Sequence, residues 1–290
     1  MKRNNSNMNK AKQNKNHEFY TLYESVEKEI KQFNLKGKKV FCNCDSPDSN
    51  FYKYFKDKYN ETGLAGLVAI GYSITDKSSV KIAYDGENET KENIIDGSFE
   101  SDESIEELKK CDIVITNPPF SKYRKWFDVV YMQNRKDFIN IGTINMTTYK
   151  NVFPYIKEEK LIVYDYSPMY FKKPDGTDFK LNNACWLSTI RKEWPNKIQQ
   201  LKLTKKYYDN PDEYPKYDNY DAINVDKVSD IPIDYYGVMG VPITYLGKHN
   251  PDQFEIVAFG KGEDGNYLVF ARERERIQPY FRILVRRINW

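Results

Sequence analysis

The sequence predicts an α/β fold, a doubly wound and mostly parallel sheet with helices on both faces, followed by a smaller β-rich or irregular module. Two observations predict the sheet. Short runs of β-branched and aromatic residues alternate with helix-patterned segments from residue 18 through residue 190. Repeated strand-helix-strand units also return the chain in the same direction, so that neighbouring strands lie parallel. A third observation predicts the module. After Arg191, tyrosines, prolines and turn residues cluster over 207–236, with short strand-like runs around Ile243, Ile256 and Leu268 and over 282–288. A length of 290 residues is enough to bury a full core and to carry an appendage.

Taken in order, residues 18–33 have a helical pattern closed by Gly37, and 39–44 form a first strand. Ser49 is placed to cap a helix over 49–59. Residues 67–72 read as a second strand, and 79–84 before Asp85-Gly86 as half of a hairpin. A helix over 101–110, with Ser101 and Ser104 as caps, precedes the buried strand 111–116. Then come a helix over 122–133, a strand over 137–142, a helix bent near Pro154 over 147–158, and strands over 161–166 and 184–190. No internal repeat is present.

Composition narrows the chemistry. The net charge is +3, with Lys2, Arg3, Lys10, Lys12 and Lys15 concentrated in an acid-free, Asn-rich segment over 1–16 that is expected to be a disordered basic tail. The amino terminus lacks a signal pattern, and the best apolar run, 64–74, is too short to span a bilayer, so an intracellular, cytoplasmic location is expected. Cys42, Cys44, Cys111 and Cys185 form no metal knuckle; Cys42 and Cys44 are expected to share one face of a strand as small buried residues. With only His17 and His249, a histidine metal centre or a Ser-His hydrolase is not expected, and His249 in Gly-Lys-His-Asn-Pro reads as a solvated turn residue.

The chemistry is carried by Asn117-Pro118-Pro119-Phe120, directly after an apolar strand and so at the carboxyl edge of the sheet, where open α/β folds bind ligands. An exocyclic amino nitrogen is a poor nucleophile because its lone pair is conjugated into the ring. The Asn117 side-chain oxygen and the Pro118 carbonyl can accept its two hydrogens, favouring the pyramidal nitrogen that develops during methyl transfer. Successive prolines stiffen the loop. Phe120 can stack on a base that has left its helix. A second constellation follows the first strand, Asn43-Cys44-Asp45-Ser46-Pro47-Asp48-Ser49, where nucleotide cofactors commonly bind although the expected Gly-x-Gly is absent. Asp45 there is an anion able to meet the cationic or amino part of a cofactor, or else an ordinary loop cap.

Several motifs in one order resemble the EcoRI-type family of adenine-specific DNA methyltransferases: Glu18-Phe19-Tyr20-Thr21, the run from Phe41 to Pro47, Asp96-Gly97-Ser98-Phe99, and Asp112 to Phe120. Ile141-Gly142, Asn145 and Thr148-Tyr149-Lys150 continue it, as do Tyr220 to Ile223, Gly237 to Thr244 and Asn250 to Glu255, so that the resemblance covers nearly everything after His17. The resemblance implies S-adenosylmethionine as methyl donor, a methyltransferase version of the doubly wound sheet, and the N6 amino group of adenine in double-stranded DNA as acceptor. It implies that Phe19, Tyr20 and Thr21 hold the methionine end of the donor with Cys44 and Asp45 beside it, and that Asp96 and Phe99 contact its adenine ring. The residue that binds the ribose stays open, because 72–75 offers no acid at the end of the second strand. No metal is required. The expected organisation is the tail over 1–16, a donor-binding catalytic domain over 17–190 and a target-recognition region over 191–290. The presence of an associated restriction endonuclease system as partner stays open.

Two other readings carry their own discriminators. Similar tetrapeptides occur in methyltransferases acting on RNA or on protein amide nitrogen, and a catalytically silent nucleic-acid-binding protein would use the basic tail and tyrosine-rich end without needing an amine clamp. Transfer of a labelled methyl group to DNA, RNA or protein separates all three. Arg272-Glu273-Arg274-Glu275-Arg276, if extended, places Arg272, Arg274 and Arg276 on one face, able to meet phosphates or guanine edges; a self-neutralised edge strand is the alternative.

Overall fold

A computed structural model of the protein describes residues 20–73, 75–173, 176–193, 200–273 and 275–288. The expected tail over 1–16 lies outside the described residues. From the amino end, β1 (Tyr20–Thr21) leads into helix α1 (Tyr23–Ile30), β2 (Lys39–Cys42), α2 (Asn50–Asp57), the single turn α3 (Tyr59–Thr62) and β3 (Gly66–Ser73). The hairpin β4 (Ser78–Tyr84) and β5 (Glu89–Ile94) follows, then α4 (Asp102–Lys110), β6 (Ile113–Thr116), α5 (Tyr123–Phe127) and β7 (Asp137–Thr143). Next come α6 (Phe153–Lys157), β8 (Ile162–Tyr164), β9 (Met169–Lys172), β10 (Asp178–Leu181) and β11 (Ala184–Ser188).

The principal sheet has eight strands in the order β5-β4-β3-β2-β6-β7-β11-β8. Only its centre is parallel: β3 with β2, β2 with β6, and β6 with β7. Both flanks are antiparallel, which corrects the mostly parallel expectation. The cause is loop length. Four residues separate β3 from β4, far too few for the crossover that parallel pairing needs. The second hairpin strand, β5, is exposed along nearly its whole length, so no hydrophobic period marks it in the sequence.

Alternation along the central strands divides the core between two faces. Val40, Leu67, Ala69, Ile113, Ile139 and Ile141 pack with Val26 and Ile30 of α1 and Phe51 and Phe55 of α2. Phe41, Val68, Val114 and Phe138 face the other way, toward Leu108 of α4, Trp126 and Phe127 of α5, and Ile156 of α6. Caps fix where the helices start: the Ser49 hydroxyl accepts from the Tyr52 amide and the Ser101 hydroxyl from the Ser104 amide. Helix α1 is shorter than its pattern because Tyr20 and Thr21 pair instead with β9.

The chain after Arg191 builds a second sheet from β12 (Ile223–Asn224), β13 (Met239–Pro242), β14 (Phe254–Phe259) and, beyond the small hairpin β15 (Phe270–Arg272) and β16 (Glu275–Ile277), β17 (Arg282–Arg287). Its order is β12-β13-β17-β14. Ile223, Met239, Val241, Ile283 and Val285 of this sheet join the same hydrophobic cluster as Phe41 and Trp126, so the module rests on the α4–α6 face of the principal sheet.

That junction changes the reading of His249. Its Nε2 is buried, its Nδ1 lies 3.0 Å from the Tyr245 hydroxyl, and it lines a small cavity with Leu161, Arg191 and Leu246 rather than standing in solvent. Burial, then the Arg191 guanidinium, lowers the imidazole from 6.5 to about 4. The unfolded chain therefore takes up a proton that the folded chain refuses. Stability present above pH 6.5 should be lost as pH falls toward about 4. Denaturant unfolding at pH 7 and pH 4.5 tests this: the drop should be smaller in His249→Gln than in the parent, by on the order of 2 kcal/mol. Equal drops would remove His249 as the cause.

Candidate active site

All four residues of β6 are buried, and the chain leaves the sheet at Asn117. Pro118 is buried and Pro119 exposed. The Pro119 carbonyl accepts from the Lys122 amide at 2.9 Å, which opens the 3₁₀ turn Phe120–Lys122 that runs into α5. Among the described residues no donor meets the Pro118 carbonyl. Phe120 is half-buried and packs against both core clusters. The tetrapeptide is thus anchored at both ends, with Asn117 and Pro118 at the carboxyl edge.

The loop after β2 is tied directly to this motif. Asp45, 7% exposed, accepts at its Oδ2 from the Thr116 hydroxyl at 2.5 Å and from the Asn117 amide at 3.4 Å. The Thr116 hydroxyl in turn accepts from the Cys44 amide at 3.2 Å. Asn43 accepts at its Oδ1 from the Trp126 indole N–H at 3.1 Å, joining the same loop to the helix beyond Phe120. Thr116 does not stand out in sequence, and Asn43 does so only as the first residue of the loop after the first strand. Their roles depend on two strands lying side by side, and only the polar Thr closing an apolar run hints at it.

Cys42 is buried in β2, whereas Cys44 lies in the following turn; the expected shared strand face is therefore not formed, because β2 ends at Cys42. Burial raises the thiols of Cys42 and Cys185, and that of Cys111 to about 11, so none of these three is a thiolate nucleophile at neutral pH.

The other motif segments converge on the end of β3. A Cβ on Gly71 would lie 2.8 Å from the Asp45 carbonyl carbon, and one on Gly97 would lie 3.1 Å from that of Gly71. A side chain on Gly71 would collide with the Asp45-Ser46 backbone, and one on Gly97 would be tight against Gly71 and Ser79, so both glycines favour the close stacking of these segments on β3. Asp96 is exposed and accepts from the Ser98 amide and hydroxyl, at 2.8 and 3.0 Å. Phe99 is only 4% exposed and belongs to the core cluster of Phe41 and Val68, which leaves little ring surface for a ligand. The acid missing from the end of the second strand arrives from elsewhere: Asp48 accepts from the Ser73 and Thr75 hydroxyls, both at 2.8 Å. Thr21 is held by the Asn50 side-chain amide donating to its carbonyl at 2.7 Å. Phe19 lies outside the described residues, and Tyr20 sits in β1.

At this edge Thr21 Oγ1 and Asn43 Nδ2 are buried and meet no hydrogen-bond partner among the described residues. Such groups cost about 1–3 kcal/mol each unless a ligand or water meets them. Together with the carboxylates of Asp45, Asp48 and Asp96, they fit a polar nucleoside ligand carrying an amino acid end.

The arginine stretch is not extended. It folds into the hairpin of β15 and β16, with Glu273 turning at a left-handed φ of 49°. Arg272 lies opposite Glu275, and Arg276 opposite Ala271, so Arg272 and Arg276 fall on different faces rather than one. Arg272 is engaged by Asp226 through both terminal nitrogens at 3.1 Å. Arg274 lies outside the described residues.

A parallel centre with an antiparallel strand beyond β7, and the loop after β2 tied to the Asn117-Pro118-Pro119-Phe120 segment after β6, give the frame of an α/β methyltransferase. The family model of the adenine-specific methyltransferase EcoRI matches residues 7–287. The chain is 39% identical over 323 aligned residues to the type II methyltransferase M.EcoRI of Escherichia coli, covering 96% of this chain and 95% of that one. It is 37% identical to the type II methyltransferase M.MgeORF184P of Mycoplasma genitalium and 38% to M.MpnI of Mycoplasma pneumoniae, each over 86% of this chain and 84% of the relative. The protein belongs to the EcoRI family of adenine-specific methyltransferases. Among the described residues no helix is long and apolar enough to cross a membrane.

Proposed function

We propose that the protein is a site-specific DNA adenine-N6 methyltransferase that uses S-adenosylmethionine and acts on an adenine swung out of double-stranded DNA. The observation that carries this reading is the Asn117-Pro118 edge, with its backbone anchored by Asp45 and Thr116 and, among the described residues, no donor already on the Pro118 carbonyl. The donor, when bound, supplies an electrophilic methyl group on a cationic sulfur. Asp45 lies nearest the motif and favours that positive charge, Asp48 and Asp96 offer acceptors to its hydroxyl and amino hydrogens, and Thr21 and Asn43 meet its polar end. Asn117 and the Pro118 carbonyl hold the two N6 hydrogens, which concentrates the nitrogen lone pair toward the methyl. Extrusion of the base costs a few kcal/mol, offset in part by stacking on Phe120. The site therefore acts by positioning. Target recognition is assigned to the region after Arg191, with Arg276 of the β15–β16 hairpin as one element of it, whereas Arg272 is already engaged by Asp226.

Labelled-methyl transfer to DNA, RNA and protein, followed by sequencing of the modified bases, tests the reading. Label on RNA or protein alone would overturn it. Phe120→Tyr should retain capture of the base because the stacking face survives, whereas Phe120→Ala should weaken it. Fluorescence of 2-aminopurine at the target position reports the difference, and an unchanged signal in the Ala variant would count against stacking.

A further inference from the structure

We propose that the basic surface beside the motif, formed by Lys122, Arg124 and Lys150, grips the DNA phosphates that flank the target adenine. This rests on the function proposed above and says where on the protein the substrate's backbone is held.

Position beside the motif, together with the lack of a carboxylate partner, sets these three apart: Lys122 closes the turn after Phe120, Arg124 lies in α5, and Lys150 follows Tyr149, against whose ring Arg124 sits. Lys122, Arg124 and Lys150 are exposed, and among the described residues none has a carboxylate within ion-pair distance. Neighbouring Lys125 is paired with Glu100, and Arg272 with Asp226. Asp128, one helical turn beyond Arg124, is instead held by the Asn151 side-chain amide at 2.6 Å. An unpaired cation gives its full charge to a phosphate, whereas a paired one must first surrender its carboxylate.

Arg124 is also preorganised. Its guanidinium lies 4.2 Å from the centre of the Tyr149 ring, and the Asn151 amide donates to its carbonyl at 3.2 Å. A guanidinium held against an aromatic face loses less freedom on binding a phosphate. The same stack joins the helix after Phe120 to the segment carrying Lys150. The surface also reaches the C-terminal module: Tyr280, 61% exposed, donates from its hydroxyl to Asn145 Oδ1 at 2.9 Å. A duplex presenting its adenine to Asn117 would therefore meet cations on the catalytic side and an exposed tyrosine on the other.

The test measures binding of the full chain to target and non-target duplexes over a salt series for the parent, for Lys122→Gln, Arg124→Gln and Lys150→Gln singly and combined, and for Arg272→Gln. The magnitude of the log-affinity against log-salt slope should fall by about 0.9 for each phosphate contact removed. Affinity should fall equally on both duplexes, and Arg272→Gln should match the parent. Because all three side chains are exposed, thermal midpoints should not move, and the single variants remain readable if the combined one fails to fold. A parent that methylates DNA while the combined variant keeps its slope overturns this proposal alone. So does a loss confined to the target duplex, which means base reading, or a loss seen only in Arg272→Gln. A parent that neither binds nor methylates DNA overturns the function itself.

Discussion

Asn117→Ala should lower methyl transfer by at least about a hundredfold while leaving donor affinity nearly unchanged, since the lost acceptor acts mainly as the amino nitrogen becomes pyramidal. Asn117 directly follows the last residue of a fully buried strand, and its own amide is held by Asp45. The substitution changes neither anchor, so the backbone and the Pro118 carbonyl should stay in place. Single-turnover transfer to a target duplex together with calorimetric titration of the donor separates the two effects. Near-normal turnover would sink the assignment of Asn117.

Asp45→Ala should weaken donor binding and slow turnover together. Its carboxylate accepts from the buried Thr116 hydroxyl and from the Asn117 amide while facing the loop proposed for the donor. Removing it leaves those donors unpaired, at about 1–3 kcal/mol each, which is on the order of tenfold to a hundredfold in whatever step needs the motif aligned. Thr116→Val separates the two roles: the Cys44 amide and Asp45 lose a shared partner, so turnover should fall by at least about tenfold while donor affinity changes less. Thr116→Ser restores the hydroxyl and should recover most of the activity. If Asp45→Ala binds the donor and turns over like the parent, Asp45 is only a loop cap. If Thr116→Val lowers donor affinity and turnover equally, the hydroxyl supports the donor loop and not the motif.

Much of the fold was legible because its signals are local. Ser49 and Ser101 cap their helices, and the apolar strand before Asn117 lies in the middle of the sheet. Elements without a local signal were missed. Strand β5 is polar and exposed, and β9 and β10 form a sheet with β1, a pairing between residues about 150 positions apart. The candidate site divides in the same way: Asn117, Pro118 and Phe120 declare themselves by type and spacing, while Asp48 at the end of β3 and the Asp45-Thr116 link arise only when strands distant in sequence are placed side by side.

The sequence by itself determined the family, the strand that carries the motif, and the chemical character of the edge, because residue type, short spacing and motif order suffice for these. Tertiary structure decided which cations are available and which are already neutralised. The Arg272–Arg276 run looks like a uniform basic face on paper, yet a turn at Glu273 splits it and Asp226 engages its first member. His249 looks like a loop residue, yet the packing of the second sheet on the first buries its Nε2 and lowers its pKa to about 4. Charge and ionisation depend on neighbours and solvent in three dimensions, so the same residue letter can stand for an open phosphate contact, a satisfied ion pair or a buried neutral base.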